Sequence, residues 1–380
     1  MTSLKREKNL KYFDNAATGF PKSKKVINEI TNALLKCGNP GRSGHEYSVY
    51  ASEVLYSARD TIAKFFSTNP ENVILCPSST YALNMAIKGL YKDNSNIIIS
   101  DLEHNSVLRP AKATGKTIIF CTDVEDDEKT LSEFRKSLTT NTSIAVVTHA
   151  SNVCGRILPV EEMAKICRKN GTLFILDASQ TAGYLPINLS DSDIDVVCIP
   201  GHKGFYGPMG TGALIVNPKS NLNFKTIIEG GAGMMSIEET MPKHLPERLE
   251  AGTCGVHDFA GLDIAIKECV FDKGYDFQKY IFTVNSLKKI SKIKIYGYSE
   301  KNSNKYVPVI LFNAEGISSD EFSEILKNRG FCVRSGFHCS PLAHLKFKTG
   351  DFGAVRISIG KKNTFRECEE LIYAINTILK

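Results

Sequence analysis

The sequence lacks any apolar stretch long enough to span a membrane, and its first eleven residues are too charged to form the apolar core of a secretory signal. Its 47 basic and 41 acidic residues leave a net charge of +6, but they form no basic block and no basic stripe interleaved with aromatic residues. We therefore expect neither a membrane nor a nucleic acid as the main partner.

The eleven cysteines include no CxxC pair, so a structural zinc site is not expected. Without a secretory signal, this number of cysteines favours free thiols in a reducing compartment, and we expect the protein in the cytoplasm. Most of the thiols should be small core residues, which is the usual fate of a free cysteine.

The 380 residues, of which 42% are hydrophobic, are enough for two or three domains with a large core. Strand-like and helix-like segments alternate from residue 71 to residue 216, which predicts an α/β fold with a mostly parallel sheet and helices on both faces. From residue 306 onward the pattern is α+β, with strands, a helix over 319–328 and a closing helix. We place a smaller domain at 255–380.

The strongest signal of a functional site lies in the short segment 196–203. The apolar run 196–199 reads as a buried strand, and it leads through Pro200 into His202, Lys203 and a glycine-rich turn. A lysine held among apolar walls has a disfavoured ammonium, so Lys203 can be neutral and nucleophilic, which suits a Schiff base with an aldehyde cofactor. Taken alone, the motif fits a surface lysine on a hairpin about equally well.

Other polar residues also follow apolar strands. Asp177 ends the run 172–177, where a carboxylate is costly unless a cation meets it. The hydroxyl cluster 78–80 opens a helix, as in anion sites, although it can equally be a set of helix caps. Parallel sheets bind ligands at the carboxyl ends of their strands. We therefore predict one shared site that contains Ser79, Thr80, His104, Asn152, Asp177, Gln180, His202 and Lys203.

Together the motifs resemble the cysteine desulfurase family, the class V aminotransferase branch of the fold-type I enzymes that depend on pyridoxal phosphate (PLP). The motifs occur in the same order as in the family, and they are spread over nearly the whole chain. It rests on the segments 13–18, Glu103-His-Asn-Ser106, 151–155, Asp177-Ala-Ser-Gln180, Gly201-His-Lys203, Glu250-Ala-Gly-Thr253 and Arg334-Ser-Gly-Phe-His-Cys339.

The resemblance implies a role for each residue of the cofactor site. Lys203 forms the Schiff base with PLP and moves the substrate α-proton, and Asp177 pairs with the protonated pyridine nitrogen. Gln180 bonds the phenolic oxygen, while His104 stacks on the ring and assists proton transfer. The phosphate is held by Ser79, Thr80, His202 and, from the other subunit of a homodimer, Thr253.

Substrate and sulfur residues are implied in the same way. Asn152 and Arg356 orient the substrate, and Arg42 is a further substrate-binding candidate. Cys339 accepts the sulfur as a persulfide for transfer to an acceptor protein, and Arg334 and His338 are expected to favour its thiolate. Pro200 stands where many relatives have a serine, so one phosphate donor is expected to be missing.

The implied fold is a fold-type I PLP transferase with an N-terminal segment at 1–20, a large PLP-binding domain at 21–254 and a small α+β domain at 255–380. Three functions remain open at this point. They are a cysteine desulfurase acting on L-cysteine, a selenocysteine lyase acting on L-selenocysteine with the same groups, and a non-catalytic scaffold. The intact Lys203, Asp177, His104 and Cys339 argue against the scaffold.

Overall fold

A computed structural model describes residues 10–41, 43–269 and 273–380. Within these ranges the chain forms a seven-stranded sheet, a three-stranded sheet and a two-stranded pair. No helix in the described ranges combines the length and the apolar character that a bilayer crossing requires.

The large sheet has the strand order β2-β8-β7-β6-β5-β3-β4. Its members are β2 (Val73–Cys76), β3 (Asn96–Ser100), β4 (Lys116–Phe120), β5 (Thr142–Thr148), β6 (Leu173–Asp177), β7 (Val196–Pro200) and β8 (Gly212–Val216). Strand β8 is antiparallel to β2 and β7, and the other pairings are parallel. This confirms the predicted mostly parallel sheet.

Helices cover both faces of this sheet. They are α1 (Lys24–Lys36), α2 (Glu46–Phe66), α3 (Ser79–Leu90), α4 (Asn105–Thr114), α5 (Asp127–Ser137), α6 (Val160–Asn170) and α7 (Val256–Lys267). Successive strand residues point to opposite faces. Val147 and Val197 accordingly lie in one core with α2, α5, α6 and α7, while Val146 and Cys198 lie in the other core with α3 and α4.

Two helices show how sequence signals set helix boundaries. Pro159 and Gly171 predict a helix over 159–170, and α6 ends at Asn170, before Gly171, which has the left-handed conformation that glycine favours. The helical pattern after Pro21 predicts a helix that starts there, but α1 begins three residues later. The hydroxyl of Ser23 accepts a hydrogen bond from Val26 N at 3.2 Å and caps the helix, so Ser23 sets the boundary.

The C-terminal part contains an antiparallel sheet with the order β12-β10-β9, formed by β9 (Ile293–Tyr296), β10 (Val309–Ala314) and β12 (Val355–Ser358). Its helices are α8 (Lys273–Lys288), α9 (Ser319–Asn328), α10 (Pro341–Phe347) and α11 (Phe365–Leu379). Strand β9 was not predicted. The apolar run 307–312 predicts a strand from Val307, but β10 begins after Pro308, which has no N–H to donate to a sheet.

The N-terminal segment contacts this C-terminal part. Strand β1 (Lys11–Tyr12) pairs in parallel with β11 (Phe331–Cys332), and Ser358 N donates to Phe13 O at 2.8 Å. Phe13 is fully buried in the core of the small sheet. Helix α7 packs on α1 and α2, and its residues Phe259 and Leu262 belong to a core of the large sheet. The domain boundary at 255 therefore stays a prediction.

A tight turn after β7 holds Lys203. Gly201 N donates to Thr211 O at 2.8 Å, and Tyr206 N donates to Lys203 O at 2.9 Å. The turn also packs closely against the segment after β6. A Cβ atom on Gly204 would lie 2.2 Å from Ala182 O, so only glycine fits there without a backbone shift.

We expect Gly204→Ala to destabilise the protein by roughly 2 kcal/mol, because overpacking against backbone cannot be relieved by a side-chain movement. The thermal midpoint measured by differential scanning fluorimetry should fall. Gly44→Ala is the matched control, since a Cβ there would meet no described atom within 4 Å and should leave the midpoint unchanged or slightly higher. A Gly204→Ala protein as stable as the control would contradict the packing argument.

Candidate active site

A cavity of about 180 Å³ lies at the carboxyl ends of the parallel strands. The structure brings eight predicted residues to its wall, namely Ser79, Thr80, His104, Asn152, Asp177, Gln180, His202 and Lys203. Ser78, Ser106, Thr148, Ser179 and Pro200 complete the lining. Residues from five separate segments of the chain thus meet in one place, as expected where parallel strands end along one edge of a sheet.

Lys203 has the electrostatic environment expected of a nucleophilic amine. Protein atoms enclose its side chain, apart from a part that faces the cavity, and this burial lowers the pKa of Lys203 to about 8. Asp177 opposes the shift, while Arg356 and Arg334 reinforce it. About one tenth of this amine is therefore neutral at pH 7, far more than for an exposed lysine.

Asp177 lies at the end of β6 and is almost fully buried. Its Oδ1 accepts hydrogen bonds from the backbone N of Ser179 at 3.0 Å and from the Ser179 hydroxyl, which also lies 2.9 Å from the Ser79 hydroxyl. Burial nevertheless raises the pKa of Asp177, although Ser179 and Lys203 oppose the shift. A cation inside the cavity would relieve this cost, and the protonated ring nitrogen of PLP is such a cation.

His104 caps helix α4. Its Nδ1 accepts a hydrogen bond from Ser106 N at 3.1 Å, so the proton of the neutral ring lies on Nε2. Burial and the charge of Lys203 lower the pKa of His104 to about 4. The Ser106 hydroxyl is 2.9 Å from His104 Nδ1 and 2.8 Å from Thr80 Oγ1, which links the starts of α3 and α4.

The start of α3 and His202 form an anion site. The Ser78 hydroxyl accepts from Tyr81 N and caps the helix, and Ser79 and Thr80, the first residues of α3, line the cavity. His202 Nδ1 is buried without a hydrogen-bond partner among the described residues, and burial lowers the pKa of His202 to about 4. A phosphate would give this atom a partner. Pro200 lines the same wall and supplies no N–H.

The residues that line the cavity match the functional groups of PLP. The cavity offers a partly neutral amine for an aldehyde, a buried carboxylate for a ring nitrogen and a helix start with an unpartnered imidazole nitrogen for a phosphate. Gln180 adds an amide whose Nε2 donates to Ala16 O at 3.1 Å, which fixes its orientation.

Cys339 is exposed on a loop beside the cavity. Asn105 N, at the start of α4, donates to Cys339 O at 2.7 Å. The Asn152 side chain forms two hydrogen bonds with the same loop. Its Nδ2 donates to His338 O at 2.9 Å, and its Oδ1 accepts from Ser340 Oγ at 2.7 Å. Because Asn152 and His104 line the cavity, the loop that carries the thiol lies beside it.

His338 does not provide the positive charge that the sequence suggested. It is almost fully buried, and burial together with Arg356 lowers its pKa well below the usual value. The ring is therefore neutral at neutral pH. Of the two basic residues expected to favour the thiolate, only Arg334 brings a permanent charge.

Two predicted residues lie outside the cavity lining, and a third cannot be compared with it. Arg356 is buried behind Asn152: its Nη1 donates to Asn152 O at 3.0 Å, and its Nη2 donates to Asp14 Oδ1 at 2.7 Å. Thr253 is exposed in a separate cleft of about 750 Å³ that also contains Leu75 and Tyr81. Arg42 lies outside the described residues.

Sequence reasoning missed some supporting residues. Ser106 and Ser179 each lie two residues after a predicted site residue, a spacing that puts a hydroxyl within reach of the preceding side chain. Glu103 is fully buried, and its Oε1 accepts from Ser100 Oγ and from Thr148 N. Burial raises the pKa of Glu103 to about 8, so it is largely protonated at neutral pH. The motif 103–106 contains this acid, but no role was predicted for it.

Comparison with known proteins gave consistent matches. The family model for Aminotransferase class-V matches residues 11–371 of the chain. "Cysteine desulfurase IscS" of Mannheimia succiniciproducens is 27% identical over 400 aligned residues, which cover 97% of this chain and 92% of that protein. "Probable cysteine desulfurase" of Pyrococcus abyssi is 27% identical over 381 residues, which cover 97% and 94%.

Solved structures agree with these matches. The apo structure of cysteine desulfurase from Thermococcus onnurineus NA1 has a TM-score of 0.88 at 27% identity, and the alignment covers 97% of this chain and 94% of that one. A solved NifS-like protein, 24% identical, has a TM-score of 0.83 over 97% of this chain and 99% of its own, which shows the same fold.

The lowered pKa of Lys203 predicts a pH dependence in the protein freed of cofactor. Only the neutral amine attacks an aldehyde, and at pH 7 about one tenth of an amine with this pKa is neutral. Acetaldehyde with cyanoborohydride should therefore label Lys203 faster as the pH rises, with a plateau above about pH 8. Labelling is read by mass spectrometry.

Lys64 is the matched control, because its hydrogen bond to Asp60 raises its pKa. Its labelling should keep rising beyond the pH at which the Lys203 rate has levelled off. A Lys203 rate that follows Lys64 over the whole pH range would show that burial does not lower the pKa of this amine.

Proposed function

The chain belongs to the class-V aminotransferase family, and from this we propose that it is a PLP-dependent cysteine desulfurase that converts L-cysteine to L-alanine. The observation that carries the proposal is Cys339. An exposed thiol is held on a loop tied to Asn152 and to the start of α4, next to the cavity that contains Lys203. An aminotransferase has no use for such a thiol, whereas a desulfurase requires one.

PLP, when bound, supplies an electron sink that acidifies the substrate α-proton and stabilises the negative charge left on carbon. Lys203 is the residue that would hold PLP and would also remove the proton from the substrate Cα, because its lowered pKa permits proton exchange near neutral pH. Asp177 would hold the ring nitrogen protonated. His104, uncharged, would lie against the ring.

Two residues would act on the substrate itself: Arg356 on its carboxylate and Cys339 on its sulfur. Arg356 would bind the carboxylate, and its buried Nε has no partner among the described residues, which leaves a donor for this purpose. The Cys339 thiolate attacks the substrate sulfur, an S–S bond forms, and the carbon–sulfur bond breaks with its electron pair on the carbon side. The carbon takes up a proton, so L-cysteine and the thiol become L-alanine and a persulfide.

The exposed position of Cys339 makes the persulfide accessible from outside. We propose an acceptor protein as the next carrier of the sulfur, since an enzyme that kept the persulfide would turn over only once.

We also propose a homodimer in which Thr253 of each subunit completes the phosphate site of the other. Within one chain Thr253 lies in a cleft apart from the cavity. Helix α1 exposes Ile27, Leu34 and Leu35, of which Leu35 is 76% exposed. An exposed apolar face of this kind is typical of a protein interface.

The desulfurase proposal is tested with Cys339→Ala. The variant should bind PLP and L-cysteine as the wild type does, because neither needs this thiol. Alanine production from L-cysteine should fall at least about 100-fold, as expected when a nucleophile is removed. Mass spectrometry of the wild type after L-cysteine treatment should find the persulfide on Cys339.

Two further variants complete this test. Cys332→Ala removes a half-buried thiol of β11 and should retain wild-type turnover. Lys203→Ala should lose both turnover and the visible absorbance band of the cofactor. The proposal fails if Cys339→Ala produces alanine at the wild-type rate, or if the persulfide maps to Cys332 or Cys254.

The dimer is tested with Leu35→Glu. A charge in the middle of the proposed interface should yield a monomer by light scattering, and the monomer should bind PLP less tightly because Thr253 is lost from the site. Tyr373→Glu, on the exposed face of α11, is the control and should stay dimeric with normal PLP affinity. A wild-type monomer would disprove the dimer, and a Leu35→Glu monomer with wild-type PLP affinity would disprove the shared site.

A further inference from the structure

The backbone of the Cys339 loop is strained at the residue that matters for sulfur transfer. His338 has φ 51° and Cys339 has φ 57°, so two consecutive residues with side chains adopt the left-handed conformation. This conformation is unfavourable for a residue with a side chain, because Cβ approaches the following carbonyl oxygen. Contacts around the loop must offset this cost, or the loop would relax and move the thiol.

A chain of hydrogen bonds reaches the loop from helix α10. His338 Nδ1 lies 3.1 Å from His344 Nε2, and the two ring planes are inclined by only 16°. His344 Nδ1 lies 2.8 Å from Thr349 Oγ1. All three side chains are buried, so water does not compete for these bonds.

The hydrogen bond between His338 and Arg334 determines which atom donates in each of the other hydrogen bonds. His338 Nε2 faces the carbonyl oxygen of Arg334, which can only accept, so the His338 proton belongs on Nε2. His338 Nδ1 then accepts from His344 Nε2–H, and His344 Nδ1 accepts from the Thr349 hydroxyl. Both rings must be neutral for this order. Burial and Arg356 lower the pKa of His344 to about 4, and they lower the pKa of His338 well below its usual value.

Further contacts fix His344 and Thr349, which lie at the end of the hydrogen-bond chain away from Cys339. Lys346, two residues after His344 on α10, forms an ion pair with Asp101 at 2.7 Å, next to the carboxyl end of β3. The Thr349 carbonyl accepts from Asn313 Nδ2 on β10. His344 is therefore fixed to both sheets, and it transmits that fixed position to His338, the residue before Cys339.

From this geometry we propose that His344 is a positioning residue for Cys339. Its hydrogen bond to His338 holds the loop in the strained conformation that keeps the thiol beside the cavity. The inference rests on the proposed role of Cys339, and it adds a residue that touches neither substrate nor cofactor and acts through His338.

The first test compares His344→Ala with His344→Gln. The glutamine amide can donate to His338 and its oxygen can accept from Thr349, so Gln should retain the chain and Ala should break it. A thiol displaced by about 1 Å from its attack position costs up to about 100-fold in rate. We therefore expect kcat for alanine production to fall about 10–100-fold in His344→Ala. KM for L-cysteine should change less than about twofold, and Gln should restore most of the rate.

The second test needs neither cofactor nor turnover. Asn105 N–H donates to Cys339 O and therefore reports on the loop through hydrogen exchange in the protein freed of PLP. Protection of this amide should fall in His344→Ala and persist in His344→Gln. Leu345→Ala is the matched control, because Leu345 is the next residue of the same helix and is 73% exposed. It should leave both kcat and Asn105 protection unchanged.

If His344→Ala does not fold, Thr349→Val removes the hydroxyl that orients His344 and should give a smaller loss in the same two measurements. The proposal is wrong if His344→Ala keeps wild-type kcat and Asn105 protection, or if Gln is as impaired as Ala, since packing alone would then explain the effect. A wild type without a persulfide on Cys339 would instead disprove the proposed function, and the exchange experiment would still report on the histidine chain.

Discussion

The site depends on one electrostatic constraint, the burial of an amine and a carboxylate at the ends of adjacent strands. Asp177 ends β6 and Lys203 follows β7, and these strands pair in parallel. Burial shifts both groups toward their neutral forms, since it lowers the pKa of Lys203 and raises that of Asp177. Their mutual attraction opposes both shifts without cancelling them. The protein thus stores an unfavourable arrangement that a bound group with an aldehyde and a basic ring nitrogen would relieve.

Much of this arrangement could be predicted from the sequence, because strand ends are marked locally. An apolar run followed by a polar residue placed Asp177, His104 and Asn152, and parallel connectivity then required those residues to meet. The precise partner of each side chain could not be predicted. Asn152 was expected to orient substrate, yet in the structure both ends of its amide bind the Cys339 loop. That contact joins residues 186 and more positions apart, and no local pattern encodes it.

Other departures have equally specific causes. The start of α1 depends on the rotamer of Ser23, and the missed β9 has only four residues, too few for a periodic signal. Thr253 is distant from the cavity within one chain, so its role depends on a second copy that sequence spacing cannot locate. The charge of His338 was misjudged because neighbouring basic residues are visible in a sequence, whereas burial is not. Burial decides the outcome here.

The neutral histidines determine how the site handles charge. His104, His202 and His344 have pKa values of about 4, and His338 lies lower than its usual range. None of them changes charge between about pH 5 and pH 8. An anionic phosphate must then be held by N–H dipoles and hydroxyls, and a carboxylate by Arg356. Because these charges are constant, the charge of the site changes near the upper end of that range through Lys203 and Glu103, whose pKa values are both about 8. Because it is neutral, His338 can accept a hydrogen bond from His344. The burial that keeps these histidines uncharged therefore also keeps the Cys339 loop in place.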